Sequence, residues 1–251
     1  MPALGVGIHV FKARAKPEIA AVQPAHFSSA GVVLMAHTEF RVMPRTLILS
    51  NFAVVVIGAS AGGVEAMRKL VAKLDPDWPA AYFLAIHVGP NESRLAAILS
   101  AAGPLPVERA RHGGTITPGR MFVAPPDHHL LLDRGVMRLS RGPRENWSRP
   151  AVDPLFRSAA RAYGSRVIGV VLTGRLNDGT AGLYDIRRHG GTTMVQDPGE
   201  AEYPDMPASV LRHVEVDYWL SLASMPRVIS DVAREIAAKP YVEPLRAGAI
   251  P

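Results

Sequence analysis

Three residues stand where chemistry is possible: Ser60, His87 and Asp178. Each lies at or just beyond the end of an apolar run of strand length, residues 54–57, 82–86 and 167–172. A hydroxyl, an imidazole and a carboxylate gathered at one rim are the parts of a nucleophilic triad. The imidazole takes the hydroxyl proton, and the carboxylate fixes the imidazole tautomer and stabilises the imidazolium. Such a set suits acyl transfer, with Ser60 attacking a carbonyl carbon and His87 acting first as base and then as acid.

The elements that must position these residues are legible around them. Val54, Val55, Val56 and Ile57 read as a strand buried on both faces. Gly58-Ala59-Ser60-Ala61-Gly62-Gly63 then offers only small residues, so the backbone can turn sharply. Val64, Met67, Leu70, Val71 and Leu74 follow at helical spacing. The unit is strand, tight turn, helix, and three readings of its turn stay open. Gly58-x-Ser60-x-Gly62 fits a nucleophile elbow. Gly58-x-Ser60-x-x-Gly63 fits a dinucleotide fingerprint whose middle glycine is replaced. A plain strand-to-helix turn with Ser60 as a helix cap fits equally well.

Strand–helix alternation continues to the closing helix over 226–238. A hairpin signal at Asp133-Arg134-Gly135 and loops at 113–119 and 142–150 interrupt it. This pattern predicts an α/β fold: a doubly wound, mostly parallel sheet with helices on both faces. Ligands bind such sheets beyond the strands' carboxyl ends, where Ser60, His87 and Asp178 fall. A dinucleotide site needs an acidic residue at the end of the second strand, but His87 stands there. A conventional α/β-hydrolase would order its triad as Ser60, Asp178 and His189 or His213, with several strands ahead of the elbow; only 59 residues precede Ser60. His128-His129 invites a metal reading, but neighbouring histidines on a strand point opposite ways. No metal or organic cofactor is expected.

Composition narrows the function classes. The 251 residues carry 28 Lys and Arg against 22 Asp and Glu, a net +6, with no basic block and few aromatics. That argues against nucleic acid and favours an acidic protein partner. No apolar run reaches the 18–20 or so residues of a membrane span, so no membrane insertion is expected. The absence of cysteine suits a reducing, cytoplasmic setting. The organisation expected is an N-terminal extension over residues 1–50, a catalytic domain over 51–240 and a tail over 241–251.

Five blocks occur in order: 57–63; His87-x-x-Pro90; Val123-Ala124-Pro125-Pro126-Asp127-x-His129; Arg149-Pro150-x-Val152-Asp153-x-Leu155-Phe156; and Leu172-Thr173-Gly174-x-x-Asn177-Asp178-Gly179. Together they resemble the chemotaxis protein-glutamate methylesterases, the CheB family, over about residues 53–238. The resemblance implies hydrolysis of γ-glutamyl methyl esters on the cytoplasmic helices of methylated chemoreceptors, and deamidation of particular receptor glutamines. It implies a Ser60–His87–Asp178 triad, with Ala61, Gly174, Arg175, Leu176 and Arg149 as candidates for the oxyanion site and substrate loop. Family members carry an N-terminal receiver domain, and residues 1–50 hold only Glu18 and Glu39 as acids. A stand-alone effector domain without phosphorylation control in cis is therefore expected. The family's loop usually reads Thr-Gly-Met-Gly-x-Asp-Gly. Here Arg175 and Leu176 replace its methionine and second glycine, which keeps a non-catalytic docking module as the alternative.

Overall fold

The structure is a computed structural model and describes residues 51–87 and 94–239. The expected extension over 1–50, the tail over 241–251 and the helix start at Ser93 lie outside those residues. The elements in chain order are β1 (Ala53–Ala59), α1 (Gly63–Val71), β2 (Ala80–Ile86), α2 (Leu95–Ser100), β3 (Val107–Arg109), β4 (Met121–Val123), β5 (His129–Asp133) and β6 (Val136–Ser140). Then come α3 (Val152–Tyr163), β7 (Val167–Val171), α4 (Thr180–Arg188), β8 (Thr192–Gln196), α5 (Asp205–His213), β9 (Tyr218–Leu220) and α6 (Met225–Ala238).

Among the described residues, seven strands form one sheet in the order β3-β4-β2-β1-β7-β8-β9, and every pairing in it is parallel. The expected doubly wound α/β fold is therefore present. Strands β5 and β6 pair antiparallel and form the expected hairpin as a separate two-stranded sheet. Alternate residues of β1 serve two cores. Val55 and Ile57 pack with Met67 and Leu70 of α1 and Ile229 of α6. Val54 and Val56 pack with Leu155 and Phe156 of α3 and Leu183 of α4. A strand covered on both faces must be apolar at every position, which is why its sequence shows no alternation.

The strand Val107–Arg109 was not expected from the sequence. It is three residues long, and Glu108 and Arg109 are exposed. An edge strand that buries one side chain leaves no periodic trace.

From β1 the chain adds β2, β4 and β3 on one side, then returns to lay β7, β8 and β9 on the other. Strand order thus reverses between β1 and β7, which opens a crevice at their carboxyl ends. One glycine sets the depth of that crevice. A Cβ on Gly58 would lie 2.3 Å from Val152 Cγ1, so the start of α3 rides directly on β1.

Candidate active site

The turn after β1 presents Ser60. Ser60 N–H donates to Thr173 O at 3.0 Å, and Gly63 N–H closes back onto Ser60 O at 2.9 Å. Gly62 takes φ 72°, a left-handed conformation that a side chain would strain. The loop after β7 backs this turn at Gly174, where a Cβ would lie 2.1 Å from Met206 Sδ and 2.9 Å from Ser60 Cβ. A cleft of about 490 Å³ opens beside the turn, lined among others by Gly62, Lys69, Thr173, Gln196 and Glu202.

Ser60 Oγ lies 3.0 Å from His87 Nδ1, and His87 Nε2 lies 2.7 Å from Asp178 Oδ2. Asp178 is buried and Ser60 and His87 are half-buried, so the relay runs from the core to the mouth of the crevice. Burial alone would raise the Asp178 carboxyl, yet the His87 hydrogen bond and the Val152 N–H hold it below the usual carboxylate range. An ionised carboxylate can only accept. His87 therefore carries its proton on Nε2 and offers a bare Nδ1 lone pair to the serine hydroxyl.

Two helix starts grip this carboxylate and a second one. Asp178 Oδ2 accepts Val152 N–H at 2.7 Å and Oδ1 accepts Asp153 N–H at 3.1 Å, so the anion caps α3. In return Asp153 Oδ1 accepts Gly179 N–H at 3.0 Å and Gly182 N–H at 2.7 Å, capping α4. Asn146 Nδ2 bridges the two, donating to Asp178 Oδ1 at 2.6 Å and to Asp153 Oδ2 at 2.8 Å. Burial, and after it the charge of Asp178, pushes the Asp153 carboxyl up to about 6.

Asn146 and the capping role of Asp153 escaped the sequence reading. The signals were present but generic: an acid in the first turn of a helix, and an asparagine, which tolerates the left-handed φ of 48° seen at 146.

The remaining candidates separate. Ala61 N–H meets no acceptor among the described residues, whereas Gly174 N–H donates to Tyr203 O at 2.9 Å and is already committed. Arg175 is exposed and its guanidinium lies 5.0 Å from the centre of the Tyr203 ring. Leu176 stands at φ 66° with 65% of its surface exposed, so a leucine holds a glycine-like conformation in this loop. Arg149, a candidate for the substrate loop, braces its own loop. Its guanidinium is 18% exposed and donates to Asp127 Oδ1 at 2.6 and 3.0 Å, to Gly142 O at 2.7 Å and to Arg141 O at 2.9 Å.

His129 is likewise structural. Its Nε2 donates to Pro143 O at 2.9 Å, and its Nδ1 accepts Ala151 N–H at 3.3 Å. Among the described residues no three His, Cys, Asp or Glu side chains group to hold a metal ion.

Comparison with known proteins places this geometry. A protein-glutamate methylesterase/protein-glutamine glutaminase of Anaeromyxobacter dehalogenans is 40% identical over 182 residues, which cover 72% of this chain and 53% of that protein. A putative protein-glutamate methylesterase/protein-glutamine glutaminase of Leptospira interrogans is 37% identical over 174 residues, 68% of this chain and 90% of that protein. The chain spans about half the length of most of the curated relatives it matches. The solved CheB methylesterase catalytic domain of Thermotoga maritima aligns with a TM-score of 0.69 at 32% identity, over 72% of this chain and 98% of that one. Residues 55–229 match the family described as CheB methylesterase. With the strand order, the Ser60–His87–Asp178 relay and this match over most of its length, the chain belongs to the CheB methylesterase family.

Proposed function

We propose that this protein hydrolyses methyl esters of γ-glutamyl side chains on the cytoplasmic helices of methylated chemoreceptors, and that it works in the cytoplasm. The observation that carries this reading is the assembled relay, with its 3.0 Å and 2.7 Å hydrogen bonds running from a half-buried hydroxyl to a buried carboxylate. Ser60 Oγ attacks the ester carbonyl as His87 Nδ1 takes its proton. The tetrahedral intermediate collapses, His87 returns that proton to the methoxy oxygen, and methanol leaves an acyl-serine. Water then attacks the acyl carbon with His87 again as base, releasing the glutamate side chain and restoring Ser60. Asp178 stays ionised throughout and holds the ring.

The negative charge that develops on the carbonyl oxygen needs N–H donors in place beforehand. Ala61 N–H, in the turn before α1, is the donor favoured here, because Gly174 N–H is occupied. A glutamine amide forms the same acyl-serine with ammonia as the leaving group, and the Anaeromyxobacter relative's description includes glutaminase. No helix of the described residues is long and apolar enough to cross a membrane, which accords with action on receptors from the aqueous side. The test is methanol release by the purified protein from receptor membranes methylated beforehand. Release from these and not from unmethylated membranes supports the reading; no release, with a folded protein, removes it.

A further inference from the structure

Asparagine is a common first residue of a two-residue turn, so its presence at 146 says nothing by itself. Residues 145–148 form such a turn, with Glu145 N–H donating to Ser148 O at 3.2 Å and Ser148 N–H to Glu145 O at 2.9 Å. Its central residues, Asn146 and Trp147, stand at φ 48° and 61°. An asparagine in a turn usually directs its side chain onto the turn's own backbone. Here both amide hydrogens leave the turn. Nδ2 donates to Asp178 Oδ1 at 2.6 Å and to Asp153 Oδ2 at 2.8 Å. Both partners are carboxylate oxygens, so the amide nitrogen and not its oxygen must face them.

This placement acts on Asp178 in two ways. Its backbone donors, Val152 N–H and Asp153 N–H, both belong to the start of α3. Asn146 reaches Oδ1 from a different segment, the 145–148 turn. With Oδ1 held from both, the carboxylate cannot rotate freely, and Oδ2 stays aimed at His87 Nε2, 2.7 Å away. The second effect is electrostatic. Asp153 and Asp178 are both buried, and burial, followed by the charge of Asp178, raises the Asp153 carboxyl. A neutral NH₂ group that gives one hydrogen to each lets the two carboxylates stand close while ionised. That matters when His87 takes the Ser60 proton, because an ionised Asp178 stabilises the imidazolium that forms.

The turn is braced against the helix that holds Asp178. Arg157 Nη2 donates to both Glu145 carboxylate oxygens, at 2.8 and 2.6 Å. Arg157 lies one turn beyond Asp153 on α3, about 6 Å along its axis. One helix thus supplies the backbone N–H groups at Asp178 and the arginine that brings Asn146 to it.

We propose that Asn146 is a positioning residue for the reaction: its amide fixes the rotation of Asp178 toward His87 and separates Asp178 from Asp153. The proposal rests on the methylesterase reading for the natural substrate. Asn146 acts through Asp178 and needs no contact with that substrate.

Asn146→Gly is the informative variant, because glycine suits the left-handed φ at this position and only the amide is lost. It should lower kcat about 10- to 100-fold, the scale of one hydrogen bond to a charged group. KM should stay within about twofold. Rates are read as methanol release from methylated receptor membranes and, separately, as labelling of Ser60 by a fluorophosphonate. Combined with Asp178→Asn, Asn146→Gly should lower either rate by less than about threefold further, since a residue that acts through Asp178 then has nothing to hold. Asn146→Asp also suits the turn, but an ionised carboxylate only accepts, so at about pH 8 it should be no faster than the glycine variant. It takes the glycine variant's place if urea unfolding shows that variant to fold poorly.

An unchanged kcat in Asn146→Gly overturns the proposal. So does a raised KM at unchanged kcat, which would put Asn146 at the substrate, and so does an equal loss with and without the Asp178 carboxylate. Full activity in Asn146→Asp would reduce Asn146 to a turn residue. Labelling of Ser60 without methanol release counts against the methylesterase reading alone, and the labelling rates then decide the role of Asn146. No labelling of Ser60 in the unsubstituted protein removes the relay and this proposal with it.

Discussion

Asp178→Asn separates what the carboxylate does for catalysis from what it does for the fold. Each carboxylate oxygen accepts two donors: His87 Nε2 and Val152 N–H at Oδ2, Asn146 Nδ2 and Asp153 N–H at Oδ1. An asparagine keeps one oxygen, so whichever way it turns, its NH₂ faces two donors in a buried site. Two hydrogen bonds to a charged acceptor are lost, at about 1.5–3 kcal/mol each. Relief of the Asp153–Asp178 repulsion offsets part of this, leaving a net loss of about 2–4 kcal/mol. Turnover should fall about 10⁴-fold because the imidazole loses its tautomer control. Urea unfolding at pH 7 measures the first effect and methanol release the second. Ser60→Ala and His87→Gln, which remove no helix cap, should each lie within about 1 kcal/mol of the unsubstituted protein. If Asp178→Asn proves as stable as Ser60→Ala, the reciprocal capping of α3 and α4 contributes nothing and the reasoning fails.

Asp153 sets a pH dependence of opposite sign to that of Asp178. Its folded-state carboxyl is raised to about 6, so its contribution to stability is fully present below the unfolded value of about 4 and is lost as pH rises through 6. The stability of Asp153→Asn relative to the unsubstituted protein should therefore improve by about 2–3 kcal/mol between pH 4 and pH 7, as read by unfolding at several pH values. Gly58→Ala drives a methyl group into Val152 at the start of α3. It should cost about 1–3 kcal/mol and lower kcat by shifting the N–H groups that hold Asp178. Arg175→Met removes a fixed charge from the mouth and should raise KM for an acidic substrate at unchanged kcat, with the difference vanishing in high salt. A fall in kcat instead would place Arg175 at the reacting carbonyl.

The Ser60–His87–Asp178 relay was legible because its members sit at or beyond strand ends, and apolar runs buried on both faces announce those ends in the sequence. The parallel sheet followed from the same runs. Short edge structure did not show: Val107–Arg109 buries too little to leave a pattern. Loop-borne contacts did not show either. Asn146 reaches Asp178 because Arg157 on α3 anchors Glu145, a pairing between residues twelve apart that no local period marks. The partners of Arg149 did not show for the related reason that a loop arginine's direction depends on which carbonyls fold around it. The left-handed conformations of Trp147 and Leu176 contradict their residue types, so sequence reasoning points away from them. Their strain becomes visible only in the folded chain.

The central claim is that Ser60 is the nucleophile that removes methyl esters from receptor glutamates. The most direct measurement is the rate of methanol release from methylated receptor membranes by the protein and by Ser60→Ala at equal concentration, with urea unfolding as the check that both are folded. Release by the unsubstituted protein is expected, with a loss of at least about 10³-fold in Ser60→Ala. Methanol release by Ser60→Ala within tenfold of the unsubstituted rate would contradict it.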